Sequence, residues 1–137
     1  MSMNDVTILI VDDEATNLSI LQILLGSDYR TKAAISGARA LEIANTNPQP
    51  DLILLDIMMP DMDGFAILEQ LKTNPDTSDI PVIFLTSSED DKDLEKGLLM
   101  GAADYLTKPI KPAVLEMRLK NQLLLKHARD LQPRFTL

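Results

Sequence analysis

The sequence contains no cysteine, which excludes disulfides, thiolate nucleophiles and cysteine-ligated metals. Positive charge is scarce. The 13 lysines and arginines face 21 aspartates and glutamates, for a net charge of -8 and a pI near 4.5. Nonspecific nucleic-acid binding needs a basic face, so no direct nucleic-acid contact is expected. No apolar run approaches the ~18 residues of a membrane span. Met1–Asp5 also lacks the basic and apolar regions of a signal peptide, and a cytoplasmic location without membrane contact is the expectation. Internal repeats and low-complexity segments are absent. No glycine-rich phosphate loop follows the first apolar run, which counts against a nucleotide or flavin binder. At 137 residues the natural count is one domain, able to bury roughly two-thirds of its unfolded surface.

What is present is a series of short apolar runs, each closed by a polar residue. Asp12 and Asp13 close Ile8-Leu9-Ile10-Val11, Asp56 closes Leu52-Ile53-Leu54-Leu55, and Thr86 closes Val82-Ile83-Phe84-Leu85. Lys108 follows Tyr105-Leu106-Thr107 and precedes Pro109. Nearly continuous runs of this kind suit strands buried on both faces of a parallel sheet. Strands are predicted near residues 6–11, 30–34, 51–55, 81–86 and 104–107.

Helical patterns fall between them. The first, Ala15 to about Leu25, carries Leu18, Leu21, Leu24 and Leu25 and ends at Gly26. The second, Gly37 to Asn45, carries Ala38, Leu41 and Ala44, with Ser36 as N-cap. The third runs from Phe65 to about Lys72, with Phe65, Leu68 and Leu71 on its apolar side. The fourth, Asp90 to Met100, carries Leu94, Leu98 and Leu99 and stops at Gly101. The fifth opens at Pro112, a favourable first-turn proline, and extends to Leu131. Alternating strands and helices predict an α/β doubly wound parallel sheet with helices on both faces. All the polar closing residues then share its carboxyl edge, where open α/β sheets bind ligands. Carboxylates gathered there repel one another unless a cation joins them, so the pattern reads as a divalent-metal site beside a lysine and a hydroxyl.

Four motifs occur in order: Val11-Asp12-Asp13-Glu14, Leu55-Asp56 through Asp61-Met62-Asp63-Gly64, Leu85-Thr86-Ser87, and Tyr105-Leu106-Thr107-Lys108-Pro109. Together they resemble the receiver domain of response regulators, over nearly all of residues 6–125. The resemblance implies a flavodoxin-like sheet in the order 2-1-3-4-5. It implies that Asp56 is the phosphoacceptor and that Asp12, Asp13, Asp56 and the backbone carbonyl of Met58 hold Mg2+. Lys108 and Thr86 would contact phosphoryl oxygens, Thr86 and Tyr105 would act as the switch, and the Lys108-Pro109 bond would be cis. It implies a signalling phosphoacceptor rather than an enzyme, serving a two-component phosphorelay. The receiver would span 4–126, with 127–137 a C-terminal extension or linker. The single histidine, His127, lies far along the chain from the acidic cluster, so a histidine kinase or phosphotransfer protein would supply the phosphoryl group.

Each residue has a plainer rival role. Asp12, Asp13 and Glu14 could cap the first helix and complement its dipole. Tyr105 could be an ordinary core aromatic as well as a rotameric switch. Asp61-Met62-Asp63-Gly64 invites a calcium-loop reading, but that alignment places Met59 and Gln70 where carboxylates are required. A turn into the third helix, with Gly64 in an unusual backbone conformation, fits better. A magnesium-dependent phosphatase of the haloacid-dehalogenase type is the alternative function. It needs a nucleophilic aspartate on the first strand with a second two residues on, whereas this strand ends Asp12-Asp13-Glu14-Ala15. On the fifth helix, Leu115, Leu119 and Leu123 suit packing on the sheet. Met117, Asn121, Leu124, Ala128 and Leu131 form a second stripe. That stripe reads either as a homodimeric coiled-coil seam, with Asn121 fixing the register, or as the face of an amphipathic helix with a frayed end.

Overall fold

A computed structural model describes residues 5–59, 63–87 and 91–131, without the side chain of residue 91. The expected helix start at Asp90, the loop residues Pro60, Asp61 and Met62, and the segment from Gln132 onward lie outside the described residues. Strands β1 (Thr7–Val11), β2 (Arg30–Ala34), β3 (Leu52–Asp56), β4 (Val82–Thr86) and β5 (Asp104–Thr107) alternate with five helices. These are α1 (Ala15–Leu25), α2 (Gly37–Ala44), α3 (Gly64–Thr73), α4 (Asp91–Leu99) and α5 (Pro112–Leu131). The sheet is parallel throughout, in the order β2-β1-β3-β4-β5. The expected topology is therefore the one observed.

Strand side chains alternate between faces. Ile8 and Ile10 of β1 and Leu52 and Leu54 of β3 join Leu18, Leu21 and Leu25 of α1 and Leu115, Leu119 and Leu123 of α5. Leu9, Val11, Ile53, Leu55, Val82 and Phe84 face α2 and α3 instead. Every residue of β1, β3 and β4 is buried. The edge strands are not: Arg30 of β2 is exposed, and β5 buries only Leu106. A run such as Arg30-Thr31-Lys32 suits an edge, where one side of the strand meets water.

Local chemistry sets the helix ends. The Ser36 hydroxyl accepts from the Arg39 N–H at 3.2 Å, and the Asp63 carboxylate accepts from the Ala66 N–H at 2.8 Å. Both bonds satisfy donors that a helix start leaves unpaired. At the end of α4, the Gly101 N–H donates to the Leu98 carbonyl at 3.1 Å and the Ala102 N–H to the Gly97 carbonyl at 3.0 Å. This paired closure needs a left-handed residue, and Gly101 supplies it with φ 106°.

Three expectations are corrected. On α2 the buried residues are Gly37, Ala40, Ile43 and Ala44, while Ala38 is exposed and Leu41 only partly covered. On α4, Leu98 and Leu99 are 47% and 81% exposed, and the buried residue is Gly97. On α1, Leu24 is an exposed residue beside the buried Leu21 and Leu25. Short helices give few apolar positions from which to fix the phase, and a glycine carries no hydropathy signal at all.

Beyond Leu123, α5 outruns the sheet but stays fastened to its amino-terminal edge. The Lys126 ammonium stands 3.9 Å from the Asp51 carboxylate, and the Arg129 guanidinium donates to the Asp79 carbonyl at 3.0 Å. Among the described residues no helix is long and apolar enough to cross a membrane.

Candidate functional site

The site is built where the strand order reverses. β1 leads outward to β2 and β3 continues the other way, which leaves a crevice above the carboxyl ends of β1 and β3. Asp12 follows β1, Asp56 ends β3, Thr86 ends β4, and Lys108 follows β5. Carboxylate oxygens of Asp12, Asp13 and Asp56 all lie within 4.8 Å of one another. The Lys108 ammonium stands 3.4 Å from Asp12 Oδ2 and 3.4 Å from Asp56 Oδ2. Asp12 and Thr86 are buried, Asp56 is 5% exposed, and Asp13 faces solvent. The chain thus brings Asp12, Asp13, Asp56, Thr86 and Lys108 to one edge, as the spacing of the motifs implied.

Backbone bonds hold these groups in place. Asp56 Oδ1 accepts the Met58 N–H at 3.2 Å, and Asp12 Oδ1 accepts the Glu14 N–H at 3.0 Å. The first bond closes a tight turn over residues 56–58 directly after β3. The second orders the entry to α1 without acting as an N-cap, since the N-cap residue Glu14 makes no side-chain cap bond. The Lys108 N–H donates to the Thr86 carbonyl at 2.8 Å, which ties lysine to hydroxyl residue. The Lys108-Pro109 bond is cis, as expected, and Asn47-Pro48 is cis as well.

Gly64 does not take the expected unusual backbone angle, because Gly101 alone among the described residues has positive φ. Close approach is what requires glycine at this position. A Cβ on Gly64 would stand 2.8 Å from the Asp56 carbonyl oxygen and 2.8 Å from Ile57 Cα. The Gly64 N–H also donates to the Ile57 carbonyl at 2.7 Å, fixing the start of α3 against the site.

Burial pushes the Asp56 carboxyl above the ordinary carboxylate range and the Asp12 charge adds to it, against the Lys108 charge and the Met58 N–H. Burial pulls Lys108 down, but the carboxylates of Asp56 and Asp12 outweigh it and hold the ammonium above its usual value. One lysine, paired with two of the three carboxylates, leaves the cluster short of positive charge. Hard oxygen donors, one of them open to water, suit Mg2+, which keeps several waters when bound. An aspartate held in such a cluster can act as a nucleophile toward phosphorus.

Two features beside the site escaped the sequence. An apolar cavity of about 250 Å3 lies against Asp12 and Lys108, lined by Ile20, Leu21, Leu24, Pro109 and Ile110 among others. Most of its lining comes from α1 and from the loop after β5, and no sequence spacing connects the two. The other is the seat of α4 on Phe84, whose glycine gives no hydropathy signal.

Comparison with known proteins agrees with this architecture. The family model for the response regulator receiver domain matches residues 8–120. A protein of Vibrio cholerae named "Probable cyclic di-GMP phosphodiesterase" is 45% identical over 134 residues, covering 96% of this chain and 30% of that protein. The response regulator PleD of Caulobacter vibrioides is 42% identical over 115 residues, 83% of this chain and 25% of PleD. The chain thus spans less than a third of either relative. Among solved structures, the signal receiver domain of a signal transduction histidine kinase from Syntrophus aciditrophicus superposes with a TM-score of 0.79. It is 37% identical, with 96% of this chain and 97% of that one covered. Nothing in these matches supports a haloacid-dehalogenase phosphatase. Strand order, edge site and family match agree, and this chain belongs to the response regulator receiver domain family.

Proposed function

We propose that Asp56 accepts a phosphoryl group from a phosphohistidine on a histidine kinase or phosphotransfer protein. The observation that carries this is the cluster itself: three carboxylates within 4.8 Å of one another and one lysine 3.4 Å from two of them, at the carboxyl edge of the sheet. An Asp56 carboxylate oxygen forms the new bond to phosphorus. The bond from phosphorus to the donor imidazole breaks, and its electron pair returns to the ring. Asp12, Asp13, Asp56 and the Met58 carbonyl would hold Mg2+, which supplies positive charge for the anions that meet there. Lys108 neutralises a phosphoryl oxygen as a compact point charge, and the Thr86 hydroxyl bonds another. The chain is then a signalling phosphoacceptor whose only chemistry is on itself.

The apolar cavity beside Asp12 and Lys108 suits the donor, because a docking helix there would bring its imidazole to Asp56. The phosphorylated state passes outward when Thr86 and Tyr105 rearrange and alter the surface of α4, β5 and α5. The receiver proper is 4–126, with 127–137 an extension or linker, a division supported by Leu123 being the last buried leucine of α5. The reading places the chain in the cytoplasm with its phosphodonors. A second copy is a further partner. Met117, Asn121, Leu124, Ala128 and Leu131 are all exposed on one stripe of α5, and a parallel pairing would set Asn121 against its twin. Sedimentation of the beryllofluoride-treated protein as a monomer would discard that pairing.

The test of the main reading is intact mass after incubation with acetyl phosphate and Mg2+. One added phosphoryl group is expected on the wild type and none on Asp56→Asn. Full labelling of Asp56→Asn would overturn the assignment.

A further inference from the structure

The helix α4 has little to hold it. Leu98 and Leu99 face solvent, and Gly97 is the one buried residue among 92–99. That glycine lies against the ring of Phe84. A Cβ at Gly97 would stand 2.7 Å from Phe84 Cε2 and 2.8 Å from Cδ2, closer than side-chain atoms pack. The ring therefore sits in a notch that only glycine leaves open.

The opposite edge of the same ring reaches Gly64, the residue behind Asp56. A Cβ at Gly64 would meet Phe84 Cε1 at 3.2 Å, and Gly64 is the residue packed on the Asp56 carbonyl. Phe65 braces the ring edge-on, with centroids 5.5 Å apart and planes at 68°, and carries the Lys96 ammonium 4.4 Å above its own face. In the sheet, Phe84 pairs with Leu55 on β3 and with Tyr105 on β5. Thr86 is two residues on and so shares its face of β4. One buried ring thus touches the start of α3 behind Asp56 and the notch of α4, beside Tyr105 and below Thr86.

We propose that Phe84 is a positioning residue. Seated between Gly64 and Gly97, it sets the place of α4 on the sheet and carries movement at Asp56 and Thr86 to that helix. A close-packed ring transmits displacement because it has no void to absorb it. Gly97 also gives its carbonyl to the bond that closes α4, so a shift at the notch moves the helix and its terminus together. The inference rests on Asp56 being the phosphoacceptor.

The test uses the full chain in three variants: Gly97→Ala, Phe84→Leu and the two combined. Gly97→Ala adds the Cβ that meets the ring, Phe84→Leu shortens the side chain without adding a clash, and the pair exchanges size across the contact. Three quantities are read: labelling of Asp56 by acetyl phosphate with Mg2+, melting temperature, and amide NMR shifts of α4 with and without beryllofluoride. Both single variants should label at the wild-type rate and lose more than half of the α4 shift response, and the double variant should regain it. Should Gly97→Ala fail to fold, Phe84→Leu alone decides the single-variant arm. Lower melting temperature with a full α4 response would make the contact merely structural and overturn the proposal, as would a double variant that regains nothing. Absence of any label on wild-type Asp56 would instead remove the phosphoacceptor reading, and this inference with it.

Discussion

The centre of the sheet and its β5 edge are built to different standards. β1, β3 and β4 are buried along their whole length, and Asp12, Asp56 and Thr86 stand at or just beyond their ends. β5 is half open, and α4 beside it leaves Leu98 and Leu99 in water. The charged site is mounted on the part least able to yield. The part that yields most easily is set next to it, separated by one strand. Local opening follows low burial and few apolar contacts, so under the proposed function a change of charge at Asp56 would reach the edge at least cost there.

The sharpest way to break this comparison is to truncate one leucine in each region. Leu54→Ala, in the centre of β3, should cost about 2–5 kcal/mol by lost burial and a residual cavity. Leu99→Ala on α4 should stay within about 0.5 kcal/mol of wild type, as exposed substitutions do. Denaturant unfolding of both measures this. Equal losses would show that the edge is packed as firmly as the centre.

A second prediction concerns the cation. Asp13 is the exposed member of the acidic cluster, so Asp13→Ala removes one proposed ligand without opening the core. Magnesium affinity should fall at least about tenfold, or roughly 1.4 kcal/mol, by calorimetric titration, with the melting temperature in EDTA little changed. Unchanged affinity would detach Asp13 from the metal site.

A smaller effect follows from the raised Asp56 carboxyl. The folded state holds this proton more tightly than the unfolded chain, so without divalent cation stability falls as pH rises. The fall begins near the ordinary carboxylate value of about 4 and is complete above the raised one. At neutral pH in EDTA, Asp56→Asn should therefore melt higher than wild type, and the gap should close on acidification through that window. A variant that melts lower at neutral pH would mean that Lys108 more than offsets burial.

The same contrast explains what the sequence revealed. Buried central strands read as unbroken apolar runs, so the residues closing them, Asp12, Asp56 and Thr86, could be assigned to one edge from spacing alone. Lys108, after the short fifth run, fell at that edge by the same spacing, and the family resemblance added its role and the cis bond before Pro109. The edge strands were legible too, at 30–34 and 104–107, and what hydropathy could not mark was their packing and that of α4. Arg30-Thr31-Lys32 does not look like a strand core because one side of it meets water. On α4 the leucines suggested a buried stripe, yet the packed residue is Gly97, which hydropathy cannot mark. Gly64 was recognisable as necessary but not for which reason. A positive φ and a close backbone approach both demand glycine, and a sequence does not separate them. The cavity beside Lys108 joins α1 to the loop after β5, and such proximity exists only in the folded chain.

The central claim is that chemistry at the rigid centre is answered at the loose edge. The most direct test is amide NMR of the Mg2+-loaded protein with and without beryllofluoride, in the wild type and in Lys108→Ala and Thr86→Ala. Shift changes in the wild type should concentrate in α4 and β5, beyond the residues that touch the ligand. They should shrink sharply in both variants while Asp56 still accepts some label. Changes confined to the immediate surroundings of Asp56, or an edge response of full size in both variants, would contradict the account.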